Sequence, residues 1–106
     1  MTFIDLTIQK CYLTADKNQI QCEEIGLQNF REKTEAEMQD RQNYCADHDI
    51  DLDDDSTYEA LAKMDTDIQN QITVDDTRLA TIQSELEGLE SAIKNNIKSE
   101  CKLFSV

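Results

Sequence analysis

Leu79, Ile82, Leu86, Leu89 and Ile93 follow one another at three- and four-residue steps, and no proline interrupts them or any other part of the chain. That spacing keeps one apolar seam turned toward a partner helix. Only two glycines occur in 106 residues, which leaves little material for hairpins, tight turns or a phosphate-cradling loop. The pattern therefore predicts an all-α chain whose seam serves another helix and not a substrate pocket.

The length allows one domain, residues 1–106, and the periodicity divides it into a helix over about 3–46, an acidic bend over about 47–55 and a helix over about 56–104. Folding back at the bend gives an antiparallel helical hairpin, or coiled coil, packed into a larger helical assembly. Ile4, Ile8, Cys11, Ala15, Cys22 and Ile25 read as the seam of the first helix, opposite the Leu79–Ile93 line of the second. Asn18 falls where an apolar residue was due, and a buried asparagine there would fix register. On the other face Leu6, Leu13, Ile20 and Leu27 recur every seven residues, a second line that a two-helix hairpin does not cover. Together with the apolar chain end, Leu103, Phe104 and Val106, that line is expected to hold copies of the chain together.

Two further groupings, Leu61, Met64, Ile68 and Ile72, then Ile93, Ile97, Cys101 and Phe104, step by extra fours and predict stutters in the supercoil. Gly26 and Gly88 fall inside helices, where glycine costs about 1 kcal/mol relative to alanine, and read as places of close backbone approach. Ser56-Thr57-Tyr58-Glu59 has the form of a capping box, placing the second helix start near Thr57, and Ile50 and Leu52 read as plugs for the end of the hairpin.

The chemistry-bearing residues point away from catalysis. Cys11, Cys22, Cys45 and Cys101 lack paired metal-site spacing and read as buried, reduced thiols. Asp47, Asp49, Asp51, Asp53 and Asp55 copy the alternating oxygens that open an EF-hand loop, but Leu52 stands in place of its glycine and Tyr58 in place of its closing glutamate. The five aspartates are thus a weak calcium candidate, and no metal or other cofactor is expected. His48, three residues after Cys45, has no positioned nucleophile beside it, and a two-helix scaffold offers no cleft for paired carboxylates such as Glu23 and Glu24. The chain is expected not to be an enzyme.

A net charge of −13 opposes direct binding to nucleic-acid phosphates or anionic membranes. Residues 35–59 hold ten acids and one base, Arg41, whereas the last helical turns carry Lys94, Lys98 and Lys102 against Glu100. That polarity favours head-to-tail contact between copies. No stretch approaches the roughly 20 apolar residues of a membrane span, and the N-terminus lacks a cleavable-signal pattern. Synthesis in the cytoplasm follows, with export by a signal-less route left open. The leading expectation is a structural subunit that self-assembles into a bundle, tube or filament. The alternative is an acidic binding module, either an inhibitor imitating nucleic acid for a basic protein or an adaptor or chaperone for an amphipathic helix.

Overall fold

The computed structural model describes residues 2–104, with side chains described through Cys101. Two long helices form the hairpin, α1 over Phe3–Asp47 and α2 over Ser56–Phe104, joined by a single 3-10 turn at Leu52–Asp54. No strand occurs among the described residues.

Local capping explains each boundary. The Thr2 hydroxyl accepts the Asp5 N–H at 3.1 Å and the Asp5 carboxylate accepts the Thr2 N–H at 3.4 Å, a reciprocal cap that starts α1. The Asp5 carboxyl is correspondingly held below its ordinary value, chiefly by the Thr2 hydrogen bond. At the other end Asp49 adopts the left-handed conformation, φ 54°. The Ile50 N–H then bonds back to the Cys45 carbonyl at 2.9 Å and the Asp49 N–H to Ala46 at 3.5 Å, the pairing that closes a helix C-terminus. Asp51 caps the 3-10 turn by accepting the Asp53 N–H at 3.1 Å. The start of α2 corrects the expected capping box. Asp55, not Ser56, is the cap, accepting the Tyr58 N–H at 2.9 Å on its side chain and the Glu59 N–H at 3.1 Å on its carbonyl. A carboxylate outcompetes the Ser56 hydroxyl here because it also binds Arg41.

The chain forms two compact units, one from Glu23–Asp75 and one from the described residues of Met1–Cys22 and Asp76–Val106. In the first, the bend unit, inward positions on α2 are Leu61, Asp65, Ile68, Ile72 and Asp75, strict three–four spacing; those on α1 are Leu27, Arg31, Thr34, Met38 and Cys45. Cys45, Ile68 and Ile72 are buried, Cys45 completely. In the second, the terminal unit, Leu79, Ile82, Leu86, Leu89 and Ile93 face inward as the spacing predicts, with Leu86 the most deeply buried. Their partners on α1 are Leu6, Leu13 and Ile20, with Lys10 and Lys17 closing the edge through Glu90 at 3.6 Å and Gln83 at 3.0 Å.

Those partners overturn the expected assignment of the two faces of α1. Leu6 and Ile20 are buried within the chain and Leu13 and Leu27 half-buried, so this line is the intramolecular seam and not a surface for self-association. Conversely Ile4, Ile8, Cys11, Ala15, Cys22 and Ile25, expected to form the seam, are all exposed, as is Asn18 between them. The physical reason lies in the long polar side chains. Lys10, Lys17 and Arg31 stand half-buried on the inward line and reach Glu90, Gln83 and Asp65 of α2, so a half-polar line serves as the seam.

The expected stutters are likewise absent. Met64, Ile97 and Cys101 are exposed while Asp65 and Asn96 take the inward positions, which keeps the heptads in step. Ile50 is 39% exposed and Leu52 half-buried, so Leu52 is the better sheltered of the two expected plugs. Neither glycine marks a close approach: a Cβ added at Gly26 or Gly88 meets nothing within 4 Å. Gly26→Ala and Gly88→Ala are therefore each expected to stabilise the fold by about 1 kcal/mol, read from urea denaturation at unchanged slope. A loss of stability at either site would show a neighbour that this packing lacks.

Candidate association surface

The fully buried polar groups lie in the bend unit and are built into its packing. Asp55 sits at its centre. Arg41 Nε and one terminal guanidinium nitrogen each donate to a different Asp55 oxygen at 2.7 Å, a two-pronged ion pair whose carboxylate is almost wholly buried. These bonds hold the Asp55 carboxyl down at about 2, with burial opposing them and the Tyr58 N–H adding to them. The same guanidinium lies 4.3 Å from the centre of the Tyr44 ring, which stacks on His48 at 4.1 Å. Burial, then the nearby Asp55 charge, pushes the Cys45 thiol up, which keeps it protonated and unreactive. Farther along, Arg31 reaches Asp65 at 3.4 Å and Gln71 donates to the fully buried Asp75 at 3.2 Å. These groups align and close the helices.

The calcium candidate does not assemble. Among the described residues no group of three or more acidic, histidine or cysteine side chains could hold a metal. Asp51 and Asp55 spend their carboxylates on caps and on Arg41, and the 3-10 turn through Leu52 replaces the glycine turn that would gather the rest. His48 is engaged with Tyr44, its Nδ1 lying 2.8 Å from the Tyr44 carbonyl oxygen. Of the four thiols only Cys45 is buried; Cys11, Cys22 and Cys101 are free and exposed, because they fall outside the inward heptad positions.

Large apolar side chains are exposed in both units, and those at regular three–four spacing form a line on α1 of the terminal unit. Ile4 is 68% exposed, Ile8 47% and Tyr12 69%, with Cys11, Ala15 and Cys22 continuing the same three–four spacing. It lies nearly opposite the Leu6–Leu13–Ile20 seam, since a shift of two residues turns a helix by about 200°. Thr7, Thr14, Gln19 and Gln21 flank it, with the carboxylates of Asp5 and Asp16 at its far edge. Thr7, Cys11, Thr14, Ala15 and Asn18, with Lys10 at the edge, border a shallow hollow along this face, mostly small side chains that let another helix approach closely. Val106 and the side chains of Leu103 and Phe104, expected to join a self-association surface, lie outside the described residues.

Charge separates the two units. Glu23–Asp75 carries sixteen acidic and four basic residues, a net −12, whereas the remainder of the chain carries seven and six, a net −1. The exposed apolar line thus belongs to the nearly neutral unit. No helix among the described residues is long and apolar enough to cross a membrane. No protein-family model, curated protein or solved structure matches this chain.

Proposed function

We propose that this protein is a non-enzymatic structural subunit that packs with copies of itself through the Ile4–Cys22 line of α1. The observation that carries this reading is an apolar stripe at coiled-coil spacing, exposed on the nearly uncharged unit of a strongly acidic chain. A helix at the same spacing is the complementary occupant, and a second copy supplies one. Charge supports the choice: residues 2–22 hold only Asp5 and Asp16 as acids, with Lys10 and Lys17 turned to the α2 edge, so two copies meet there with far less repulsion than the −12 bend units would impose.

Magnitudes set the expected strength. Burying a large apolar side chain contributes about 1.5–3 kcal/mol, so Ile4, Ile8 and Tyr12 from each of two copies supply on the order of 10 kcal/mol. Association costs about 4–15 kcal/mol in lost freedom, so at the low end of that cost about 6 kcal/mol remains, a pairwise dissociation constant on the order of 40 µM. Ile8→Asp places a charge in the stripe without touching the seam, and it is expected to weaken association at least about 100-fold in sedimentation velocity while leaving helicity unchanged. An unaltered sedimentation coefficient across the concentration range would refute the surface.

The −12 of the bend unit favours one other reading, an acidic binding module for a basic protein. It requires a monomer that leaves the stripe uncovered at every concentration, so the same sedimentation series separates the two.

A further inference from the structure

The bend unit and the last turns of α2 carry surfaces of opposite charge. Beside the bend, a shallow hollow of about 390 Å³ is floored by Tyr44 and Leu61 and edged by the exposed carboxylates of Glu37 and Asp40. Arg41 also lines it, but its guanidinium is committed to Asp55 by the two 2.7 Å bonds, so the rim stays negative. The guanidinium and His48 both pack on the Tyr44 ring, which fixes its orientation beside the hollow. On α2 of the terminal unit, Lys94, Ile97, Lys98 and Cys101 share one face at i, i+3, i+4 and i+7, all exposed, with Ile97 at 43%. This face is an apolar anchor set between two cations, the chemical converse of the hollow.

We infer that the hollow of one copy receives the Lys94–Ile97–Lys98 face of another, with Ile97 against Tyr44 and Leu61 and the two lysines over Glu37 and Asp40. The inference rests on the self-association reading and adds to it a second, head-to-tail contact. Glu37 and Asp40 are about 4.5 Å apart along the helix axis and Lys94 and Lys98 about 6 Å, spans that long lysine side chains bridge. About a two-fold axis the contact is reciprocal and joins stripe-held pairs to one another; about any other rotation it repeats from copy to copy. Repetition gives a ring or an open filament, depending on the rotation between neighbours. Exposed pairs of this kind are weak singly and screened by salt, so growth is expected at low ionic strength and high concentration.

The test is a double charge reversal read by light scattering at about 200 µM chain in about 50 mM salt, where charges on this scale still act. The wild-type chain is expected to grow beyond a pair. Lys94→Glu with Lys98→Glu should stop growth at the pair held by the Ile4–Cys22 stripe, and adding Glu37→Lys and Asp40→Lys to the same chain should restore it. All four positions are exposed, and far-ultraviolet circular dichroism checks that each variant keeps its helicity. Growth that ignores the first reversal, or that the second does not restore, overturns the inference. A wild-type chain that pairs but never grows, including one whose hollow instead takes an added lysine-rich amphipathic peptide, overturns this contact and leaves the stripe standing. A wild-type monomer overturns both.

Discussion

Ile20→Ala is expected to lower the unfolding free energy by about 3 kcal/mol, whereas Ile8→Ala changes it by only a few tenths. Ile20 is 3% exposed and sits in the terminal unit's seam, so truncation removes buried methyl groups and leaves a cavity in a thin core. Ile8, at 47%, loses little on the folded chain. The comparison is made by urea denaturation at about 1 µM, dilute enough that association does not add to apparent stability. A cost at Ile8 equal to or greater than that at Ile20 would mean that the apolar line from Ile4 faces α2 after all. The two substitutions therefore decide which face of α1 holds the hairpin.

Arg41→Met is expected to lower the melting temperature by about 10 °C, because it strands a buried carboxylate at the start of α2. Methionine keeps much of the arginine stem's volume, so the loss reports the ion pair rather than a cavity. The pH dependence gives an independent signature. The Asp55 carboxyl is depressed from 3.8 to about 2 in the folded chain. A depressed carboxyl stabilises above its unfolded value and stops doing so as pH falls through its folded value. The stabilisation is thus fully present above about pH 4 and is lost between about pH 4 and pH 2. The difference in melting temperature between wild type and Arg41→Met should shrink across that window. A difference that stays constant down to pH 2 would mean that the pair contributes nothing through charge.

The second helix was legible because its seam in the terminal unit is apolar at every step, Leu79 through Ile93, so spacing and burial agree. The first helix was not. Its inward line reads Leu6, Lys10, Leu13, Lys17, Ile20, two of the five charged, while its outward line reads Ile4, Ile8, Cys11, Ala15. Periodicity identifies a face by hydrophobicity alone and does not credit lysine stems that cover apolar neighbours. The Arg41–Asp55 pair had one visible signal, a single base among ten acids around the bend. Its partner was hidden because any of several aspartates satisfies the same spacing, and only the turn geometry selects Asp55. The exposed stripe was therefore found as a line of residues but placed on the wrong side of the helix.

Self-association through the outward face of α1 is tested most directly by the molar mass of the wild-type chain, measured by light scattering over a dilution series from about 500 µM to about 1 µM, the range set by the expected affinity. A mass well above the 12.2 kDa of one chain is expected at the concentrated end, falling toward that value on dilution. Raising salt should remove growth beyond the pair but spare the pair itself, since apolar contact is not screened. A mass of 12.2 kDa at every concentration and salt would contradict the account and leave the stripe to a partner of different sequence.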